Sequence, residues 1–124
     1  MIYIDASLTL QAVLSGAKTT NDCDIHVFFY DVPSQTKPTF EEYRGAFKRT
    51  SSNGNTAVAI CSPPSQNGIT RNIAGIQFYN KDTVASTLTI QTTDGTTTYI
   101  LIKYALATLK TLAWSPTSGW YVTP

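Results

Sequence analysis

Apolar and polar residues alternate through a stretch near the C-terminus. Leu88 and Ile90 alternate with threonine and glutamine over residues 86–92, the period of two expected of a strand with one buried and one wet face. Asp94-Gly95 follows, with the turn chemistry of a tight hairpin, and residues 97–104 form a second apolar run. The pattern predicts a threonine-faced β-hairpin.

The register of this hairpin depends on its loop. A two-residue loop would set Ile90 opposite Tyr99 and turn Ile100 and Ile102 away from it. A three-residue loop with a glycine-type bulge sets Ile90 opposite Ile100 and Leu88 opposite Ile102. Because all four apolar side chains then share one face, we favour the bulged hairpin.

The same reasoning predicts short strands along the rest of the chain. They cover residues 2–4, 8–14, 24–32, 57–62, 72–80, 108–114 and 119–123. Many short strands joined by Gly, Asn, Asp and Pro turns indicate an all-β fold. We therefore expect residues 1–124 to form a single domain, an antiparallel β-sandwich or jelly roll.

The strand over residues 24–32 is bulky on both faces. Ile25, Val27 and Phe29 alternate with His26, Phe28 and Tyr30. A strand of this kind usually lies at the centre of a sheet, or packs against a neighbouring subunit as well as against its own core.

Residues 33–55 form the least regular region. Thr39 and Glu42 have the spacing of a capping box, which is compatible with one short helix over residues 39–48. The alternative is an extended loop anchored by Phe40, Tyr43 and Phe47. In either form, an insertion of this length in a small β domain is expected to be a binding loop or an arm that reaches a neighbour.

Composition excludes several classes of partner. The formal net charge is +1 and 14% of residues are charged, without the basic stripe of a nucleic-acid binder or of a protein that binds anionic membranes. No apolar run approaches the roughly 20 residues of a membrane-spanning helix. The chain opens directly on a strand without a secretory n-region, so we expect synthesis in a cytoplasm. Partners are expected to be proteins.

The residues that could carry chemistry are few. Cys23 and Cys61 are too few for a disulfide scaffold, and we expect small core or edge residues rather than a disulfide. His26 is the only histidine, which argues against a zinc site and against a histidine-activated nucleophile. Glu41 and Glu42 are adjacent and point in different directions, unlike an acid/base pair. We expect neither a catalytic centre nor a cofactor.

Two tryptophans flank the last predicted turn. The segment Ser115-Pro116-Thr117-Ser118-Gly119 would bring Trp114 close to Trp120 in a closing hairpin. Core packing is the favoured interpretation, because large aromatic residues commonly anchor sandwiches. The alternative is a carbohydrate-stacking platform formed by Trp114, Trp120 and Tyr121.

The order of these elements resembles that of a family of small virion proteins of tailed bacteriophages. The resemblance is carried by Met1-Ile2-Tyr3-Ile4-Asp5-Ala6-Ser7 and the strand after it, the Ile-x-Phe-x-Asn strand at 76–80, the Asp94-Gly95-Thr96-Thr97 hairpin and the closing Gly119-Trp120-Tyr121-Val122. It covers nearly the whole chain. The chain departs from the pattern at residues 40–49, where small Ser and Thr residues are more usual, and at 109–112, where a glycine-containing turn is more typical.

This resemblance implies a structural role in the virus particle. The first expectation is a capsid decoration or cement protein that binds the major capsid protein and ties capsomers together; the alternative is a tail or fibre component that binds a host glycan or another tail protein. A homo-oligomer is expected, a trimer first and a dimer second. The candidate interface residues are Ile2, Tyr3, Ile4, Phe28, Tyr30, Phe40, Tyr43 and Phe47.

Overall fold

The computed structural model describes residues 2–15, 21–33, 44–65 and 68–124. These residues form ten strands and no helix, which confirms the all-β prediction. No helix able to cross a membrane is present in the described part of the chain. The strands are β1 (Tyr3–Ile4), β2 (Thr9–Leu14), β3 (Asp24–Pro33), β4 (Arg44–Ser51), β5 (Val58–Cys61), β6 (Ile69–Tyr79), β7 (Ser86–Thr93), β8 (Thr98–Leu106), β9 (Thr111–Ser115) and β10 (Gly119–Thr123).

Two antiparallel sheets pack together as a β-sandwich. The six-stranded sheet has the order β10-β9-β6-β3-β4, with β1 paired to the first part of β6. The four-stranded sheet has the order β5-β2-β7-β8. Among the described strands, β4, β10 and the short β1 each have a single partner and form the edges of one sheet, and β5 and β8 form those of the other.

The core lies between the sheets and follows the alternation of each strand. Leu10, Ala12 and Leu14 of β2 are buried and pair with the core face of β7, where Ile90 is fully buried. On the six-stranded sheet, the core residues of β3 and β6 are Ile25, Val27, Ile73, Ile76 and Phe78. Each fully buried aliphatic or phenylalanine side chain contributes about 1.5–3 kcal/mol to folding, so this two-sided alternation is the main source of stability.

β3 is an interior strand, next to the edge strand β4, so it is flanked on both sides as its two bulky faces predict. It pairs with β6 on one side and β4 on the other. Ile25 and Val27 point into the core, whereas Phe28 alternates with them and is exposed on the outer face. This strand therefore anchors the core and builds an outer surface at once.

The predicted hairpin register is wrong, because the loop is longer than expected. Thr93 and Thr98 form the last pair, Ile90 lies opposite Ile102, and Ile100 lies opposite Gln91. The bulge occurs beside Ile90 rather than at the glycine. The four apolar side chains therefore do not share one face.

The physical reason lies in Asp94. Its carboxylate accepts hydrogen bonds from the backbone N–H of Thr96 at 2.8 Å and of Thr97 at 2.7 Å, and its own N–H donates to the Thr97 carbonyl. These bonds hold a four-residue loop, with the left-handed position taken by Gly95. The bonds to Asp94 also hold the pKa of its carboxyl below the usual range.

The helix considered for residues 39–48 is wrong in its second half, since β4 occupies Arg44–Ser51. The first half, with Phe40 and Tyr43, lies outside the described residues. β4 forms because every residue from Arg44 to Ser51 has a partner on β3. Pairing with a neighbour, rather than burial of an apolar face of its own, determines this strand.

A buried polar network joins the loops at one end of the sandwich. Asn80 donates to the carbonyls of Leu106 and Val84 at 3.1 Å, and its Oδ1 accepts the Asp82 N–H at 3.0 Å. The Cys23 thiol donates to the same Oδ1 at 3.5 Å. Asn80 is 1% exposed, so these bonds replace water for groups that the fold removes from solvent.

Candidate protein-docking face

The outer face of the six-stranded sheet carries a group of aromatic side chains, Tyr3, Phe28, Tyr30 and Phe47, here called the aromatic face. The strands position them by register. Tyr3 lies opposite Asn72 of β6, which itself lies opposite Tyr30 of β3, so these residues form one row across three strands. Phe28 lies opposite Phe47 in the next row.

Phe28 and Phe47 form the centre of the aromatic face. Their ring centroids are 5.9 Å apart, the separation of a favourable tilted pair. The Arg49 guanidinium lies 5.3 Å from the Phe47 ring centroid, within cation–π range. On the other side of Phe28 the position opposite is Gly75, where a β-carbon would lie 3.5 Å from the Phe28 ring. Arg49 therefore packs against the Phe47 ring, and the lack of a side chain at Gly75 leaves open space beside the Phe28 ring.

These side chains are exposed although they are apolar. Phe47 is 55% exposed, Phe28 38% and Tyr3 59%. Monomeric soluble proteins rarely expose large contiguous apolar patches, so these neighbouring aromatic side chains make this face the candidate docking surface.

The outer face of the other sheet has a different composition. The outward residues of β2 and β7 are Thr9, Gln11, Val13, Thr87, Thr89, Gln91 and Thr93, which alternate with buried core residues. The Gln91 amide donates to Gln11 Oε1 at 3.0 Å and crosses between the two strands. The outer face of β2 and β7 is thus mainly hydroxyl and amide, whereas the exposed Ile100 of β8 lies opposite Gln91 at the edge of the same sheet.

An open depression borders the aromatic face. Its lining residues are Asp24, His26, Gln77, Tyr79 and Thr111. The Asp24 carboxylate is paired with Lys81 at 2.9 Å, and His26 lies opposite Arg49 across β3 and β4. Polar and basic groups therefore adjoin the aromatic side chains, as at the rim of a protein interface.

The structure distributes the eight predicted interface residues unevenly. Tyr3, Phe28, Tyr30 and Phe47 come together on the aromatic face. Ile4 does not, because it is fully buried in the core, and Ile2 packs partly buried against that core. Phe40 and Tyr43 lie outside the described residues.

Trp114 and Trp120 pair across β9 and β10, as the closing hairpin predicts, with ring centroids 6.3 Å apart. Trp114 is 6% exposed and belongs to the core cluster, and Trp120 packs against that cluster. Tyr121 alternates with them and lies opposite Ala113 on the other face of the sheet. The three residues proposed as a glycan-stacking platform therefore do not share one surface.

The two cysteine thiols are buried. Cys23 and Cys61 are free thiols, both buried, and removal from water raises the pKa of Cys23 to about 11 and raises that of Cys61. A thiol of high pKa is a poor nucleophile at neutral pH. Among the described residues, no group of three His, Cys, Asp or Glu side chains is placed to hold a metal ion.

Arg49 and Gly75 are the residues of this face that the sequence did not reveal. Arg49 follows Phe47 by two positions, so recognition of β4 as a strand would have placed both on one face. Gly75 has no side chain and lies opposite Phe28, and only the β3–β6 pairing register shows that the two residues are neighbours.

Comparison of the chain with protein-family models, with curated proteins and with solved structures finds no significant match. The geometry of the aromatic face is therefore the observation on which a function can be argued.

Proposed function

We propose that this chain is a structural protein of a tailed-bacteriophage particle, which binds the outside of the capsid as a decoration or cement protein. The aromatic face is the surface that docks onto the major capsid protein. The exposed Phe28–Phe47 pair on an otherwise regular sheet is the observation that carries the proposal, and the resemblance in element order supplies the kind of assembly.

The physical properties of the aromatic face suit permanent docking to protein. Aromatic side chains have few rotatable bonds, and strand pairing already orients Phe28 and Phe47, so little conformational entropy is lost on binding. Buried aromatic anchors are the residues that most often dominate an interface, at about 2 kcal/mol or more each. Arg49, already stacked on Phe47, adds a donor for a partner's carboxylate or carbonyl.

Binding to purified capsids tests this proposal. Capsids lacking the chain are mixed with the purified protein, and the bound fraction is measured by sedimentation. The test variant carries Phe28→Ser and Phe47→Ser, and the control carries Val84→Ser, since Val84 is also exposed and lies in a loop away from the aromatic face. We expect the double variant to bind at least about tenfold more weakly, with the control unchanged.

Two results would contradict the proposal. The first is that the wild-type chain does not bind capsids, and the second is that the double variant binds as well as wild type. Thermal unfolding of each variant shows whether it is folded; the double variant is expected to lose some stability with the Phe28–Phe47 contact, so binding is measured at a temperature at which both variants are folded. Binding to purified tails instead of capsids would move the chain to the tail or fibre apparatus.

A further inference from the structure

β8 is an unusual edge strand. Among the described strands it pairs with β7 alone, so no described strand pairs with the backbone N–H and C=O groups on its other side. It is nine residues long, from Thr98 to Leu106. Four large side chains on it are exposed, namely Tyr99 (54%), Ile100 (58%), Leu101 (39%) and Tyr104 (39%).

The other four edge strands have the features that prevent edge-to-edge association, and β1 is only two residues long. β4 carries Lys48 and Arg49, and the Lys48 ammonium donates to the Ala59 carbonyl of β5 at 3.2 Å, which ties these two edges together. β5 is four residues long and β10 is five. Short strands and charged side chains are the usual protection of an edge. β8 has one charged residue, Lys103, and the bulge at Leu101 opposite Ile90 and Gln91, and the rest of its nine residues are apolar or uncharged.

We propose that β8 pairs antiparallel with β8 of a second copy of this chain, which joins the two four-stranded sheets into one sheet across a twofold axis. An antiparallel strand pair is isologous, because the same row of N–H and C=O groups meets itself. This inference does not depend on the proposed function, since β8 and the aromatic face belong to different sheets.

The sequence of β8 is compatible with such self-pairing. Like charges directly opposite each other destabilise a strand pair, and only a twofold centred on Lys103 places the two ammonium groups opposite each other. A twofold centred on Ile102 sets Lys103 opposite Leu101, and one centred on Tyr104 sets it opposite Ala105. Both registers leave the single charge of β8 without a like-charged partner.

The size of this contact limits its strength. Nine residues at about 3.4 Å each span about 30 Å, and an edge one sheet layer thick offers several hundred Å² per subunit. A standard stable interface buries about 800 Å² per partner. We therefore expect a dimer that dissociates in the micromolar range.

Sedimentation velocity of the full chain tests the dimer at concentrations from about 1 μM to about 500 μM, which brackets such an affinity. The test variant carries Ile100→Lys and Leu101→Lys, and a Val84→Lys variant is the control for added charge. A third variant, with Phe28→Ser and Phe47→Ser, removes the aromatic face. Wild type, the Val84 variant and the aromatic-face variant are expected to dimerise with the same dissociation constant. The β8 variant is expected to remain monomeric at every concentration.

Amide hydrogen exchange provides a second readout should the β8 variant fold poorly. In wild type, alternate β8 amides are expected to exchange more slowly in the concentrated sample than in the dilute one. A wild-type chain that stays monomeric throughout would overturn the inference. So would a dimer that the β8 charges leave intact, a trimer, or β8 amides whose exchange is independent of concentration.

Discussion

Arg71 is the residue where packing and charge reinforce each other most clearly. Its guanidinium forms a two-pronged ion pair with Asp31 at 2.7 and 2.9 Å, donates to the Ser62 carbonyl and lies 4.3 Å from the Phe29 ring centroid. The hydrogen bonds to Asp31 also raise the pKa of Arg71. These contacts join β6, β3 and the end of β5.

Replacing Arg71 should lower the free energy of unfolding far more than replacing the exposed Lys81. Arg71→Ala leaves Asp31 without its partner in a partly buried site, and we expect the free energy of unfolding to fall by about 1.5–3 kcal/mol. Lys81→Ala removes the exposed pair with Asp24 and should cost less than about 0.5 kcal/mol. Urea denaturation of both variants measures the difference, and equal losses would show that the Arg71 contacts contribute little.

The buried thiol of Cys23 makes stability depend on pH in the alkaline range. Burial raises its pKa to about 11 from an ordinary value of 9.0, because the thiolate would lose its hydration. The unfolded chain therefore releases this proton at lower pH than the folded one. The resulting contribution to stability is fully present below about pH 9 and declines as the pH rises through about 11.

A Cys23→Ala variant isolates this effect. Wild type is expected to lose more unfolding free energy than the variant between about pH 8 and pH 10.5, since the variant lacks the titrating thiol. Urea denaturation across that range gives both curves, and other titrating groups cancel in the comparison. Parallel curves would mean that the Cys23 thiol titrates alike in the folded and unfolded chains.

At the scale of the elements, the turn between β8 and β9 carries local strain. Leu109 has φ near 60°, the left-handed region that disfavours a branched side chain, and it is 59% exposed. Its N–H donates to the Asn80 carbonyl at 2.7 Å, and the Asn80 N–H donates to the Lys110 carbonyl. These bonds hold the backbone in a conformation that glycine adopts more readily.

Leu109→Gly should therefore stabilise the protein. We expect a gain of about 0.5–1 kcal/mol, which is the relieved strain less the added flexibility of the unfolded chain. Val84→Gly is the matched control, because Val84 is also exposed but has no positive φ, and it should be neutral or destabilising. Differential scanning calorimetry compares the two, and a lower melting temperature for Leu109→Gly would contradict the interpretation.

Elements with an apolar face of their own could be predicted from the sequence, and elements formed by pairing could not. β2 and β7 bury every second residue over most of their length, so alternation alone identifies them. β4 has no such pattern, because its partner β3 supplies the contacts. The β7–β8 register depends on the hydrogen bonds that the Asp94 carboxylate accepts within the loop. The pattern of apolar residues does not show these bonds.

At the scale of the whole molecule, the two outer faces of the sandwich differ in chemistry. On β2 and β7 the four-stranded sheet presents mainly threonine and glutamine, and on β8 it exposes Ile100 and Leu101. The six-stranded sheet presents the aromatic face, and the sequence alone names Phe28, Tyr30 and Phe47 as interface candidates. Alternation could place them on strands, but only the register shows that Phe28 and Phe47 touch while Ile4 turns inward.

The most direct test of the proposed particle role is the copy number of this chain in purified virus particles. Quantitative mass spectrometry gives it relative to the major shell protein. We predict close to one copy of this chain per copy of the major shell protein, as expected of a protein that covers the capsid. Absence of the chain from the particles, or only a few copies in each, would contradict a decoration role.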